Sequence, residues 1–252
     1  MKTKRLQEME QYILKNGTVT MEELKDHFQV SMNTIRRDVA VLTTDGAVQK
    51  VYGGVSASEK SQGLVPYDKR LPAQPVEKQL ICKSAASLVH EGDIIFIDSG
   101  TTTLHLMDTL KDMRLTVITN NLEVILSALN CPNIQLIVLP GVLHRDTRSI
   151  TGEASADFLS TMNTNIAFMA ATGVSYGGVT NSNPLEYAIK RAAVQHTERA
   201  VLLVSANKFG QTSLLTFAQL KDFERVITDG GIPPEWQKHL ASLGVEVDIV
   251  EQ

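Results

Sequence analysis

Apolar positions recur at helical spacing through the first 44 residues and then change rhythm. Leu6, Met9, Ile13 and Leu14 share one stripe of a helix over residues 5–15, which Asn16 and Gly17 stop. Thr20, followed three positions later by Glu23, is a capping box opening a second helix that carries Leu24 and Phe28. Ser31 caps a third helix, which runs to about Thr44 and stops at Asp45 and Gly46. Residues 47–52 read as a strand, Gly53 and Gly54 as a turn, and Val55 as the start of a return strand.

From Val76 onward, continuous apolar runs alternate with helical patterns. The runs predict strands over residues 94–98, 116–119, 135–139, 166–170, 200–205, 225–228 and 245–250. Helices are predicted over residues 77–89, 102–110, 122–129, 154–161, 185–197 and 234–243. Apolar strands joined by helical crossovers imply a parallel sheet covered on both faces. Between the two patterns, residues 56–63 are polar, and Pro66, Pro72 and Pro75 follow. The expected organisation is a winged helix-turn-helix over residues 1–57, a linker over 58–75 with an extended second half, and an α/β domain over 76–252.

Composition narrows the class. Apolar residues make up 43% and charged residues 21% of the 252, as in a soluble globular protein. No apolar run approaches the ~18–20 residues of a membrane span, so no membrane partner is expected. Lys2, Lys4 and Arg5 lead into polar, helix-like sequence rather than a signal peptide. Two cysteines, Cys82 and Cys131, build no disulfide framework and fit a reducing cytoplasm. The net charge of −4 conceals a split: residues 1–60 carry nine Lys/Arg against eight Asp/Glu, and the remainder 15 against 20. A nearly neutral head on an acidic body can still bind DNA when its cations share one face.

The third helix has that property. At 100° per residue, Ile35, Val39 and Leu42 form a buried stripe, while Asn33, Arg37, Ala40 and Thr44 lie opposite, flanked by Arg36. Arginine bonds guanine bidentately and asparagine does so with adenine, which suits this face to the major groove. Ser31 and Thr34 stand at the helix start, where hydroxyls and free N–H groups meet phosphate. Lys50 and Tyr52 on the wing reach toward flanking phosphate or the minor groove. The alternative is a merely solvated helix face and a plain β-turn. Asp38, at the edge of the apolar stripe, reads as structural, paired with a nearby arginine or capping a neighbouring helix.

In the body, a strand ends at Asp98 and is followed by Ser99, Gly100, Thr101, Thr102 and Thr103. Such a small polar turn before a helix holds an anion through backbone N–H groups and hydroxyls, and Gly100 admits close approach. Asp98 would accept from a sugar hydroxyl. Neither a Walker motif nor Gly-x-Gly-x-x-Gly is present, and an ordinary helix cap remains the alternative. Other predicted strand ends are polar too: Asn120, Gly141 with Arg145, and Gly173. In parallel sheets such ends converge on one cleft. Arg145 or Arg148 could add a cation there, each otherwise a surface residue. The six histidines show no ligand spacing, and neither cysteine has a nearby basic pair that would make it a nucleophile, so no metal, cofactor or thiol chemistry is expected.

Arg5, Met9 and Ile13, then Ser31 through Val39 with the same interval between them, and a wing from Lys50 to Val55, resemble the signature of the DeoR family of bacterial sugar-catabolism regulators. The body resembles that family's effector domain, itself similar to ribose-5-phosphate isomerase, at residues 98–102, Thr119, Asn120, Gly152, residues 178–183, Glu186, Lys190, Arg191 and residues 208–210. The pattern is most similar to repressors of inositol catabolism; galactitol, sorbitol and fucose regulators are built alike. The resemblance implies a repressor of a carbohydrate operon that binds double-stranded DNA as a dimer or tetramer. It also implies that a phosphorylated sugar or sugar acid occupies the cleft, with residues 98–103 as its phosphate loop, Glu186 among its contacts and Lys208 as a second, cationic one. Asn181, Asn183 and Ser205 stand where many members carry Asp, a change that favours an acidic sugar. A sugar-phosphate isomerase is the competing reading, but residues 166–174 lack the carboxylates that isomerisation needs.

Overall fold

The computed structural model describes residues 2–16, 18–44, 48–51, 54–57, 67–71 and 73–251. Tyr52, the turn residue Gly53, the helix stops Gly17, Asp45 and Gly46, and residues 58–66 and 72 of the expected linker lie outside that set. The chain forms two compact units, Met1–Leu64 and Val65–Gln252.

The first unit contains α1 (Lys2–Asn16), β1 (Thr18–Thr20), α2 (Met21–Phe28), α3 (Met32–Thr44), β2 (Val48–Val51) and β3 (Gly54–Ala57). Met9, Ile13, Leu24, Ile35, Val39 and Leu42 meet in its core, as their spacing requires. The Thr20 hydroxyl accepts from the Glu23 N–H at 3.1 Å, and the Glu23 carboxylate accepts from the Thr20 N–H at 2.7 Å, closing the capping box. Gln29, left-handed at φ 50, ends α2 and begins the short turn into α3. Tyr12 stacks on His27 with centroids 4.0 Å apart and meets Phe28 edge-on, fixing α1 against α2.

The sheet of this unit has three strands, in the order β1-β3-β2, not the two the sequence pattern predicts. A strand of only three residues is too short to show alternation. Gly54 is what lets β1 approach: a Cβ there would stand 2.3 Å from the Val19 carbonyl oxygen. Gly54→Ala should therefore displace β1 and cost about 1–3 kcal/mol, read from the thermal midpoint of the first unit. An unchanged midpoint would remove the close approach as a constraint.

The second unit is built on seven parallel strands: β4 (Ile94–Ile97), β5 (Leu115–Thr119), β6 (Ile134–Val138), β9 (Thr164–Met169), β12 (Thr197–Leu203), β14 (Arg225–Asp229) and β15 (Glu246–Val250). All seven match predicted runs, within three residues at each end. Their order is β15-β14-β12-β9-β4-β5-β6, so connections leave β4 and β9 in opposite directions. Helices α5 (Pro75–Ala86), α6 (Leu106–Leu110), α7 (Leu122–Ala128), α8 (Glu153–Ser160), α9 (Pro184–Gln195) and α10 (Pro234–Ser242) contribute to two apolar clusters. Five short strands are additions to the predicted pattern. β7 (Val142–His144) and β8 (Ser149–Thr151) form a hairpin, while β10 (Gly173–Ser175), β11 (Gly178–Asn181) and β13 (Leu215–Ala218) form an antiparallel sheet.

Two local departures bear on the site. Residues 102–110 are not one helix: a 3₁₀ turn, Thr103–His105, precedes α6. The Thr103 hydroxyl donates to the Asp98 carbonyl at 2.7 Å and pulls the chain tight there. Residues 67–70, expected to be extended, instead make a helical turn, α4 (Tyr67–Arg70). Tyr67 anchors it, with its side chain buried and its N–H donating to the Asp146 carbonyl at 2.8 Å.

Candidate functional site

In the first unit, α3 buries Ile35, Val39 and Leu42 and exposes Asn33, Arg36, Arg37 and Ala40. Thr34 is half-buried. Its N–H donates to the Ser31 hydroxyl at 3.2 Å, and the two hydroxyls lie 2.9 Å apart. Ser31 is thus the cap of α3, and its exposed side chain stays at the helix start. Asp38 is buried and accepts from Arg5 Nε at 2.8 Å, the structural pairing expected of it. That contact holds α1 against the back of α3 and raises the Arg5 pKa. Lys50 is exposed on β2.

In the second unit, Asp98 follows β4 and Ala170 follows β9, at the point where the strand order reverses. A crevice opens outside the carboxyl ends of a parallel sheet at such a point. Asp98 is fully buried. One carboxylate oxygen accepts from the Ser99 N–H at 2.8 Å; the other accepts from the Ala170 N–H at 2.9 Å and from Lys190 Nζ. Lys190, equally buried on α9, also donates to the Ala170 carbonyl at 3.1 Å. Burial pushes the Asp98 carboxyl up, against the pull of Lys190. This pair ties β4, β9 and α9 together beneath the crevice.

The loop above it is tightly placed. A Cβ on Gly100 would come within 2.7 Å of the Ala170 side chain. Ser99, Thr101, Thr102 and Thr103 are all buried. The Thr103 hydroxyl is spent on the Asp98 and Gly100 carbonyls, and the Asn121 side-chain amide donates to the same two carbonyls at 3.3 Å. The Ser99 hydroxyl and the Asn120 side-chain carbonyl oxygen, both buried, have no hydrogen-bond partner among the described residues. Asn120 is otherwise fixed by donating to the Ile150 carbonyl at 3.2 Å. Glu186, buried on α9, accepts from the Ser149 hydroxyl at 2.8 Å and from the Asn181 amide at 3.1 Å.

Three cations bear on one another's charge, and one of them, Arg70, feels the carboxylates of Glu186 and Asp98. Burial lowers the pKa of Arg70, which Glu186, Tyr67 and Asp98 partly restore. Burial, then the charges of Lys208 and Arg70, hold Lys78 down to about 8. Burial and Arg70 lower Lys208. Lys78 Nζ donates to the Arg70 carbonyl at 2.7 Å. Like charges drawn together and partly out of water make a site for an anion.

Of the other residues singled out in the sequence, Gly141 (φ 149) stands after β6, where a Cβ would be 2.6 Å from the Thr151 carbonyl oxygen. Gly173 begins β10, its Cα facing the Gln211 carbonyl oxygen, which a Cβ would approach to 2.5 Å. Arg145 is exposed in the turn between β7 and β8. Arg148, by contrast, pairs with Glu123 and lies over the Tyr67 ring at 5.3 Å. Asn181 also accepts from the Thr172 hydroxyl at 3.1 Å, and Asn183 caps α9 through the Leu185 N–H at 3.0 Å. Both asparagines are therefore engaged within the protein.

Sequence reasoning missed Arg70 and Lys78, and it named Lys190 only as a landmark. A signal existed for the two lysines. Lys78 lies on the stripe of Ile81, Cys82 and Ala85, and Lys190 on that of Glu186, Ile189 and Ala193. A lysine in register with an apolar face is rarely buried without a purpose.

A DeoR-like helix-turn-helix domain matches residues 5–61, and the DeoR C terminal sensor domain matches residues 73–230. The chain is 41% identical to the HTH-type transcriptional regulator IolR of Bacillus subtilis (strain 168), over 95% of this chain and 96% of that one. It is 28% identical to the HTH-type transcriptional repressor GlcR of the same organism, over 96% of this chain and 93% of that one. Among solved structures, ribose 5-phosphate isomerase A from Methanocaldococcus jannaschii aligns at 18% identity and a TM-score of 0.38, covering 52% of this chain and 53% of that one.

Proposed function

The chain belongs to the DeoR family of transcriptional regulators, and from that premise we propose that it is a repressor of a carbohydrate operon, controlled by a phosphorylated sugar or sugar acid. The first unit reads the operator. Asn33, Arg36 and Arg37 face the bases from α3, Ser31 and Thr34 stand at the phosphates, and Lys50 on β2 belongs to the wing. One such helix covers few base pairs, so two or four copies act together on repeated half-sites.

The observation that carries the effector reading is the pair of buried polar atoms left without a partner at the Asp98 loop, the Ser99 hydroxyl and the Asn120 oxygen, with Arg70, Lys78 and Lys208 bearing on one another's charge nearby. A dianionic phosphate there would relieve their mutual repulsion. The unpartnered Ser99 hydroxyl and Asn120 oxygen are available to the rest of the ligand. Thr101 and Thr102 line the same loop, whereas Asp98 positions it, since its oxygens are already engaged. Glu186 is held by Ser149 and Asn181, and its role is to accept one sugar hydroxyl at most. The named relatives are regulators, not enzymes.

Capture of fragmented genomic DNA by the purified protein tests the first half, with Arg37→Ala as the control. Wild type should enrich a repeated motif, and the variant should lose about tenfold in affinity for it, near 1.4 kcal/mol. Equal enrichment by both would take Arg37 out of the readout. Titration of the captured motif with a panel of sugar phosphates tests the second half. Release by none of them would leave the effector reading without support.

A further inference from the structure

The large sheet of the second unit ends in β6 on one side and β15 on the other. Both faces of β6 are covered: Ile134 and Leu136 pack against one apolar cluster and Ile137 against the other. Its outer edge is open, and among the described residues no strand pairs with it there. The Leu139 N–H donates to the Thr119 carbonyl at 3.0 Å, toward β5. Backbone groups of alternate residues face alternate sides of a strand, so Gln135 and Ile137 also address β5. Leu136 and Val138 therefore point their N–H and C=O groups outward, where an edge strand offers them to another chain.

The two edges differ in charge. β15 carries Glu246 and Asp248, both engaged by Arg225. Charges of this kind keep an edge from pairing with other chains. β6, Ile-Gln-Leu-Ile-Val, carries none. The uncharged stretch is longer than the strand: residues 124–143 hold no Asp, Glu, Lys or Arg, in a chain that is 21% charged. It runs from α7, which packs over β6, through the strand and into β7. Leu129 at the end of α7 is 72% exposed and Val142 on β7 65%, and Leu126, Val138 and Leu143 are exposed as well. An open, uncharged edge flanked by exposed leucine and valine marks an interaction surface.

We propose that the second unit pairs with a second copy of itself through the outer edge of β6, joining the two sheets into one continuous sheet with α7 and β7 at the rim. The proposal rests on the reading that two or more copies act on repeated half-sites, and it says where they meet. The strand is its own complement. An antiparallel pair about a two-fold axis at Leu136 sets Leu136 opposite the partner subunit's Leu136 and Ile134 opposite the partner subunit's Val138. Every pair on that face is apolar, and on the other face Gln135 meets the partner subunit's Ile137. The outward N–H and C=O groups of Leu136 then bond across the axis, and the Val138 N–H donates to the partner subunit's Ile134 carbonyl. No like charges meet, whereas β15 paired with its own copy would bring Glu246 and Asp248 against carboxylates.

The test is sedimentation equilibrium of the full chain, with amide hydrogen exchange alongside. Wild type should sediment as a dimer or tetramer, and exchange at the Leu136 and Val138 amides should be at least tenfold slower in the associated protein than after dilution. Val138→Lys puts a charge on the edge through a side chain that is already exposed. It should keep the thermal midpoint of the wild-type single chain, halve the mass at a concentration where wild type is fully associated, and free both amides. Leu129→Glu leaves the strand itself untouched and should weaken association in the same direction. Leu214→Lys, at an exposed leucine elsewhere, should change neither mass nor exchange. An associated wild type whose mass and edge amides are unaffected by Val138→Lys overturns this interface and spares the reading of paired copies. A wild type that stays a single copy also overturns the interface, and the number of copies it then places on the captured DNA motif decides the reading beneath it.

Discussion

Replacing Lys190 by Met will lower the stability of the second unit by about 3–5 kcal/mol, the cost of leaving a buried carboxylate without its cation. Asp98 and Lys190 are both buried, and the ammonium bridges the Asp98 carboxylate and the Ala170 carbonyl. Methionine fills similar volume, so the loss is electrostatic rather than a cavity. The remaining Asp98 partners are two N–H groups, too few to hold a full charge at zero exposure. Burial already pushes the Asp98 carboxyl up, and removing Lys190 removes the largest opposing influence. The variant's folded state will then bind a proton that its unfolded state releases. Its deficit should therefore shrink as pH falls from 8 to 5, since stability rises toward low pH wherever the folded state holds more protons. Urea unfolding across that range checks it. The double variant Asp98→Asn, Lys190→Met should regain part of the loss. A deficit below about 1 kcal/mol at pH 8 would mean water reaches the pair.

That pair also shows where the sequence was legible. The inner strands could be read because each carries a continuous apolar run, the mark of a strand buried on both faces, whereas the edge strands β6 and β15 are half-exposed and carry Gln135, Glu246 and Asp248. Their carboxyl ends followed, and with them the placement of Asp98 and Asn120 at the crevice. Which way a side chain spends its oxygens could not be read. Asp98 and a sugar acceptor have the same signature at a strand end, and only the Ala170 amide and Lys190, 72 and 92 positions away, decide between them. The departures at Asn181 and Asn183 suggested altered ligand preference, yet their groups go to Thr172, Glu186 and a helix cap. The short strands β7, β8, β10, β11 and β13 were invisible because three or four residues carry too little alternation. Arg70 had no local signal at all: a proline-flanked polar stretch reads as linker until tertiary burial of Tyr67 folds it into a turn.

Phosphate affinity at the crevice should fall about 30-fold between pH 7 and pH 9.5, a loss carried by Lys78. A phosphate monoester gives up its second proton near pH 6, so above pH 7 the ligand's charge is constant. The protein's charge is not. In the empty site, burial and the charges of Lys208 and Arg70 hold Lys78 down to about 8. A dianion beside it offsets both effects and restores an ordinary, higher lysine pKa. The bound state then holds a proton that the free state loses above pH 8, so binding takes up a proton and weakens as pH rises. Lys208, lowered by burial and Arg70, adds to the slope in the same direction. Calorimetry with ribose 5-phosphate in two buffers of different ionisation heat measures the proton uptake directly at pH 8.5. Lys78→Met should bind weakly at pH 7 and lose most of the pH dependence. The folding side has the same sign: the unfolded chain binds the Lys78 proton more tightly than the empty folded protein does, so stability without ligand rises between pH 8 and the ordinary lysine range. Ligand and alkali therefore relieve one repulsion by different routes, and their stabilising effects should not add. Flat affinity over this range, with Lys78→Met binding as wild type does, would take Lys78 out of the anion site.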